Sequence, residues 1–228
     1  MSEDVKKPTT SGYDKKVSKD MIRFCVVALT LATFFLVSNA AYAADTPTTD
    51  HSIGAWTSFN VATEVVPGYE VQLNEQYRYL NEGDSQNHTD IRVGKKIRNW
   101  TGIVGYKNVF GEEHRPYLGV DIGLPNLAGF NTGLTTTFEF RDAEKLRQRI
   151  GAYAQTEIVG FAPYISNEVF INIDSGTNII DKNRATLGIA KSITETYAVE
   201  AYYNLDSQFI GDNTNNISIV GLGLNIAL

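Results

Sequence analysis

Residues 69–79 read YEVQLNEQYRY, and their alternation decides the fold. The odd positions Tyr69, Val71, Leu73, Tyr77 and Tyr79 are apolar or aromatic, with Glu75 the one exception, while Glu70, Gln72, Asn74, Gln76 and Arg78 are polar. Successive side chains of an extended strand point to opposite faces, so this stretch is a strand with one greasy and one polar side. The split recurs along the chain. Leu146, Ile150, Ala152, Ala154 and Ile158 oppose Arg147, Arg149, Tyr153, Gln155 and Glu157. Tyr197, Val199, Ala201, Tyr203 and Leu205 oppose Glu200, Tyr202, Asn204 and Asp206, and Val220, Leu222, Leu224, Ile226 and Leu228 oppose Gly221, Gly223 and Asn225. No segment keeps an apolar i, i+3, i+4 stripe long enough to compete as a helix.

Eleven strand-like segments follow from this pattern: residues 56–65, 69–80, 89–98, 100–110, 116–124, 132–141, 146–158, 164–173, 184–193, 197–208 and 217–228. Most are near the ~9–11 residues of a tilted strand that crosses a bilayer, and longer than the ~5–6 typical of soluble domains. Longer polar connections at 81–88, 174–183 and 209–216 alternate with mostly tight ones, as external loops alternate with periplasmic turns. The connections at 111–115 and 142–145 are short for the external side. An even strand number is expected when both termini lie in the periplasm, so either residues 45–55 hold a twelfth strand or one segment is split too finely, giving ten. The fold expected is an all-β, antiparallel up-and-down transmembrane β-barrel of 10–12 strands.

Alternation alone does not separate such a barrel from a soluble sandwich or lipocalin-like barrel, which differ in which face points inward. Strand length, loop asymmetry and aromatic content favour the membrane form: 12 Tyr and 11 Phe accompany a charged fraction of 20%. Strand parity then assigns to the lumen a charge network of Arg78, Arg92, Arg98, Asp121, Glu139, Arg141, Arg147, Arg149, Glu157, Glu168, Arg184 and Glu200. Mixed signs across a narrow lumen pair, because an unpaired enclosed charge is costly. Trp56, Tyr69, Tyr79, Trp100, Phe110, Tyr117, Tyr197 and Phe209 lie at or near strand ends, where interfacial girdles form.

The chain of 228 residues begins with an address. Arg23 precedes the uncharged run 24–36, and Ala41-Tyr42-Ala43 fits the small-x-small cleavage pattern of a secretory signal. Residues 1–43 are therefore read as signal peptide, with 1–20 a dispensable extension or misassigned start before Met21, and 44–228 as the barrel domain; an uncleaved anchor is the alternative. Residues 1–43 hold 6 of the 20 basic and 4 of the 26 acidic residues, so the mature chain is net −8, against −6 for the whole. Cys25 leaves with the signal, and Ile22-Arg23-Phe24 before it is not a lipoprotein sequence.

This balance argues against nucleic acid, and one Cys excludes a disulfide framework or a multi-Cys metal site. No phosphate loop, His-Glu-x-x-His or EF-hand pattern is present, so no cofactor or metal is expected. The histidines are His51, His88 and His114; the latter two fall in or beside predicted external loops, near Asp90 and Glu113, where Ser85 and His88 sketch a rim hydrolase site. The loop acids Glu112, Glu113, Asp174, Asp181 and Asp212 either attract cations that bridge lipopolysaccharide or simply keep the loops soluble.

Beyond class, the chain resembles a bacterial outer-membrane β-barrel family known as domain of unknown function, family 2490. The matching pieces are Ala55-Trp56-Thr57, Tyr77-Arg78-Tyr79, Gly105-Tyr106, Arg115-Pro116-Tyr117, Phe138-Glu139-Phe140-Arg141, Arg147-Gln148-Arg149, Ser166-Asn167-Glu168-Val169-Phe170, Asn183-Arg184 with Leu187-Gly188, and the closing strand. The resemblance implies fold and outer-membrane location, not a reaction. The end of the chain, with Leu224, Ile226 and Leu228 at alternate positions, resembles the signal read by the barrel-assembly machinery, although Leu228 stands where the family usually has an aromatic. Parity places Lys95 and Lys191 on the lipid face. The expected function is a small outer-membrane barrel of structural or passive transport role, porin-like, with a charged and self-plugged or narrowly conducting lumen, in contact with outer-membrane lipid and lipopolysaccharide. A rim hydrolase and a soluble periplasmic β-barrel binding protein are the alternatives.

Overall fold

The structure, a computed structural model, describes residues 49–80, 85–110, 113–141, 145–173, 180–210 and 213–228. The signal-peptide assignment and the acids Glu112, Asp174 and Asp212 lie outside these residues. Eleven strands form one closed barrel in chain order: β1 Thr49–Val66, β2 Tyr69–Leu80, β3 Ser85–Ile97, β4 Trp100–Val109, β5 Glu113–Gly123, β6 Asn131–Arg141, β7 Lys145–Gln155, β8 Phe161–Asn172, β9 Ile180–Ser192, β10 Tyr197–Ile210 and β11 Asn213–Ala227. This is the up-and-down barrel of the sequence reading, and its form is consistent with a transmembrane barrel.

The even count is corrected. Among the described residues the strands number eleven, as many as the segments read from alternation, because residues 49–55 extend β1 rather than making a strand of their own. An odd number of alternating strands leaves the first and last pointing the same way, so closure has to be parallel. β1 pairs with β11 in parallel from Thr49↔Thr214 to Ala62↔Ala227, while every other neighbour pair is antiparallel. Parallel pairing is slightly weaker per residue, and a second interaction backs this seam from within. Trp56 of β1 packs on Ile217 and Ile219 of β11, with Tyr202 of β10 against them.

The expected loop asymmetry is also corrected. β3, β9 and β11 begin at Ser85, Ile180 and Asn213, four residues before the starts read from alternation, so the strands take in part of each long polar connection. The inward–outward parity there is obscured by polar residues on both faces. On β11 the parity holds but the polarity inverts: Ile217 and Ile219 point inward, while Ser218 turns outward to meet the Tyr203 hydroxyl at 2.9 Å. This reversal is local to β11.

An apolar belt runs round the outer face through Ile91, Val104, Leu118, Leu134, Ile150, Leu187, Val199, Val220 and Leu222, all exposed. A closed sheet has no edge, and such a belt is consistent with a lipid surround. Exposed aromatics bound it. Tyr69, Trp100, Phe161 and Tyr197 start strands at the rim that carries Ala227, and Tyr79, Tyr106, Phe110 and Phe140 lie toward the opposite rim. Trp56 and Tyr117, read as girdle residues, instead face the lumen: Trp56 is 5% exposed, and the Tyr117 hydroxyl donates to Asp90 at 2.6 Å. Lys95 and Lys191 do lie on the outer face, at the Ala227 rim, each ammonium over an aromatic ring: Tyr69 at 4.9 Å and Phe161 at 4.8 Å. The long stems let the charge reach the interface, so their register is consistent with a lipid-facing wall.

Candidate functional site: the charged lumen

Inward-facing positions repeat a glycine–tyrosine pairing that shapes the lumen. Gly105 pairs with Tyr117, Gly133 with Tyr153, Gly188 with Tyr164 and Gly221 with Tyr202 on the neighbouring strand. Each ring lies flat over its glycine. A Cβ on Gly221 would sit inside the Tyr202 ring, so a bare backbone is required there.

The flattened rings leave room for long charged side chains. Arg147 on β7 is held by Glu139 of β6, its Nε at 3.0 Å from Oε2, and by Asp181 at 3.1 Å. Asp181 is the extra residue of a β-bulge, since Phe170↔Lys182 is followed by Ile171↔Ile180. The bulge turns inward a carboxylate that strict alternation puts on the outer face. Arg149 donates from Nε and Nη2 to Glu168 at 2.9 and 2.6 Å and reaches Glu139 at 3.5 Å. Arg184 forks onto Asp206, both bonds 2.6 Å, and Lys182 shares that carboxylate at 3.3 Å. Arg141 forks onto Glu113 at 2.7 and 3.1 Å, and Arg115 binds the same carboxylate. Arg92 faces Asp121 at 3.8 Å, and Tyr164 donates to Glu200 at 3.2 Å.

Aromatic rings cement the layer. Phe170 of β8 carries Arg147 and Lys182 at 5.0 and 4.5 Å from its centroid. Across the lumen Trp56 carries Arg78 at 3.9 Å and Arg184 at 4.6 Å. A π face attracts guanidinium groups that would otherwise repel one another. Together Arg78, Trp56 and Arg184 link β9 to β1 and β2, and cavities lie on both sides of them. One, of about 370 Å³, is lined by Asn74, Asp90, Lys107, Asp121 and Glu200 among others. The other, of about 300 Å³, faces the rim opposite Ala227 and is lined by His88, Arg115, Arg141 and Lys182 among others. Arg78 borders both.

Of the residues assigned to the lumen, ten point into it: Arg78, Arg92, Asp121, Glu139, Arg141, Arg147, Arg149, Glu168, Arg184 and Glu200. Arg98 and Glu157 do not. β3 ends at Ile97 and β7 at Gln155, so both stand exposed in connections at the Ala227 rim, Arg98 with a φ of 57°. Parity carried past a strand's end has no meaning, and this is why they were misplaced. Glu113 and Asp181, read as loop acids, belong to the network. Asp90, Lys107, Arg115, Lys182 and Asp206 complete it, and each sits on the polar parity of its strand. Leu224 is on the outer face of β11, and the Leu228 amide donates to Ala62 carbonyl at 2.9 Å, tying the chain end to β1.

The two histidines of the rim hydrolase reading fall on opposite faces of the wall. His88 lies inside the barrel, 3% exposed and bonded to Gln86, whereas His114 is on the outer face, stacked on Tyr106 with its Nδ1 2.5 Å from the phenol oxygen. The wall separates them. Among the described residues no three of His, Cys, Asp and Glu converge as metal ligands.

Residues 53–216 match the family model described as Protein of unknown function (DUF2490). No curated protein matches the chain.

Proposed function

This chain belongs to the DUF2490 family, and on that premise we propose that it is an outer-membrane barrel of passive, porin-like transport whose lumen is narrowed at one charged layer. The observation that carries the reading is the pair of polar cavities meeting at Arg78, with Trp56 and Arg184 spanning the lumen beside it. A purely structural barrel has no use for polar cavities on both sides of a constriction, and a side-chain-filled barrel of fewer strands shows how a lumen closes when transport is not required. The layer sets selectivity by charge and size, as rings of charged side chains do in other pores.

In this reading the Ala227 rim faces the periplasm, the chain reaches the membrane through its cleaved signal, and Leu224, Ile226 and Leu228 address the barrel-assembly machinery. Outer-membrane lipid and lipopolysaccharide surround the apolar belt. No chemical step is assigned to the lumen. Planar-bilayer recording tests the reading: discrete, ion-selective current steps from heat-modifiable, folded protein are expected, and their absence would reduce the role to a structural one.

A further inference from the structure

The ion pairs of the lumen do not balance evenly along its axis. Toward the rim opposite Ala227, Arg115 and Arg141 share the single carboxylate of Glu113, and Lys182 shares Asp206 with Arg184. Arg78 has no carboxylate within ion-pair distance among the described residues; its hydrogen bonds go to the Gln76 side-chain oxygen. Positive charge is therefore in excess around the 300 Å³ cavity, although the whole chain is net −6.

Two further groups in this region are buried without a partner among the described residues. The Trp56 Nε1–H, on a residue 5% exposed, lines a side cavity of about 100 Å³ that shares Arg78 and Lys182 with the larger one. The His88 Nδ1, on a residue 3% exposed, has no partner either. In the tautomer that donates from His88 Nε2 to Gln86 Oε1, 3.3 Å away, Nδ1 presents a lone pair. Unsatisfied buried donors and acceptors are costly, and a ligand that meets both recovers that cost. The only carboxylate lining the side cavity, Asp206, is already taken by Arg184 and Lys182.

We propose that this compartment binds a soluble phosphate-class oxyanion that keeps a P–OH, inorganic phosphate or the singly protonated phosphate of a small monoester. Arg78, Lys182 and the Trp56 indole donate to its oxygens, while His88 Nδ1 accepts from its remaining P–OH. The acceptor is the discriminating feature: sulfate at neutral pH has no proton to give, and its oxygen would face a lone pair. The site stands whether or not the lumen conducts, since binding requires only one open rim.

Binding is read without current, in detergent-folded Trp100→Phe protein, which leaves Trp56 as the only indole. Titration with inorganic phosphate at constant ionic strength is expected to change Trp56 emission saturably, with sulfate at least about tenfold weaker, the value of one charge-assisted hydrogen bond. Calorimetry on the same samples should give matching affinities. Arg78→Gln and Lys182→Gln should each weaken phosphate about tenfold or more, and His88→Leu should bring phosphate down to the sulfate value while leaving sulfate unchanged. Heat-modifiable gel mobility confirms that each variant is folded. Equal responses to phosphate, sulfate and chloride, no heat of binding, or a response only to phosphatidic acid added to the micelles would overturn the proposal.

Discussion

Arg184 of β9 lies with its guanidinium carbon 4.6 Å from the centre of the Trp56 ring of β1, three strands away around the wall. Most ion pairs of the lumen join adjacent strands and so decorate the wall, whereas this contact spans the interior. Arg78, 3.9 Å from the same ring centre, makes Trp56 the point where two like charges meet the π surface of one ring.

Trp56→Leu removes that face and leaves the apolar seam with Ile217 and Ile219 largely intact. A desolvated cation–π contact is worth about 2 kcal/mol, so the expected loss is about 2–4 kcal/mol, with Trp56→Phe losing less than half as much. Urea unfolding in bilayers, followed by gel mobility, measures both. In recordings Trp56→Leu should give larger current steps than the parent; equal destabilisation by Leu and Phe would remove the cation–π argument.

Glu139 is 3% exposed and stands between Arg147 and Arg149. Glu139→Gln leaves enclosed positive charge and should cost about 3–5 kcal/mol in the same unfolding assay. Adding Arg147→Met should not restore stability, because Asp181, 3.1 Å from Arg147, then loses its cation. Full recovery in the double variant would mean that Asp181 is not engaged.

The parallel seam places Thr57 beside Leu222, both outward. Cysteines at these two positions should cross-link under mild oxidation and lock the barrel, visible as a mobility change on a non-reducing gel. Any closure with an even strand count pairs β1 in the other direction and separates them. Absence of the cross-link in folded protein would reject the parallel seam.

Glu75 breaks the apolar parity of β2, and its carboxylate is partnered by the Thr89 hydroxyl at 3.0 Å on the outer face. Charged side chains on a lipid face cost up to about 2–4 kcal/mol near the midplane, acids less than bases. Glu75→Leu should therefore stabilise the protein by about 1 kcal/mol in bilayers. In an aqueous setting the same change would only expose another apolar side chain, so a null or destabilising effect counts against lipid contact at this position.

Alternation over residues 69–79 made β2 legible to its ends, because period two is a local consequence of extended backbone and needs no neighbour. The same local rule put Arg147, Arg149, Glu168, Arg184 and Glu200 on the polar side of their strands. It failed where the backbone stopped being regular. Arg98 and Glu157 lie past strand ends, and Asp181 is turned inward by a bulge. At Ile217 and Ser218 the parity holds, but polarity reverses.

The sequence by itself determined the extended strands, the greasy and ionised sides, and the supply of charges for a lumen, since each follows from side-chain chemistry at fixed local spacing. Tertiary structure alone decided that eleven strands close in parallel, that Trp56 faces inward between Arg78 and Arg184, and that Arg115 and Arg141 share one carboxylate. Those are relations between strands far apart in the chain. Ring closure brings such strands together, and no run of neighbouring residues encodes the distance across it.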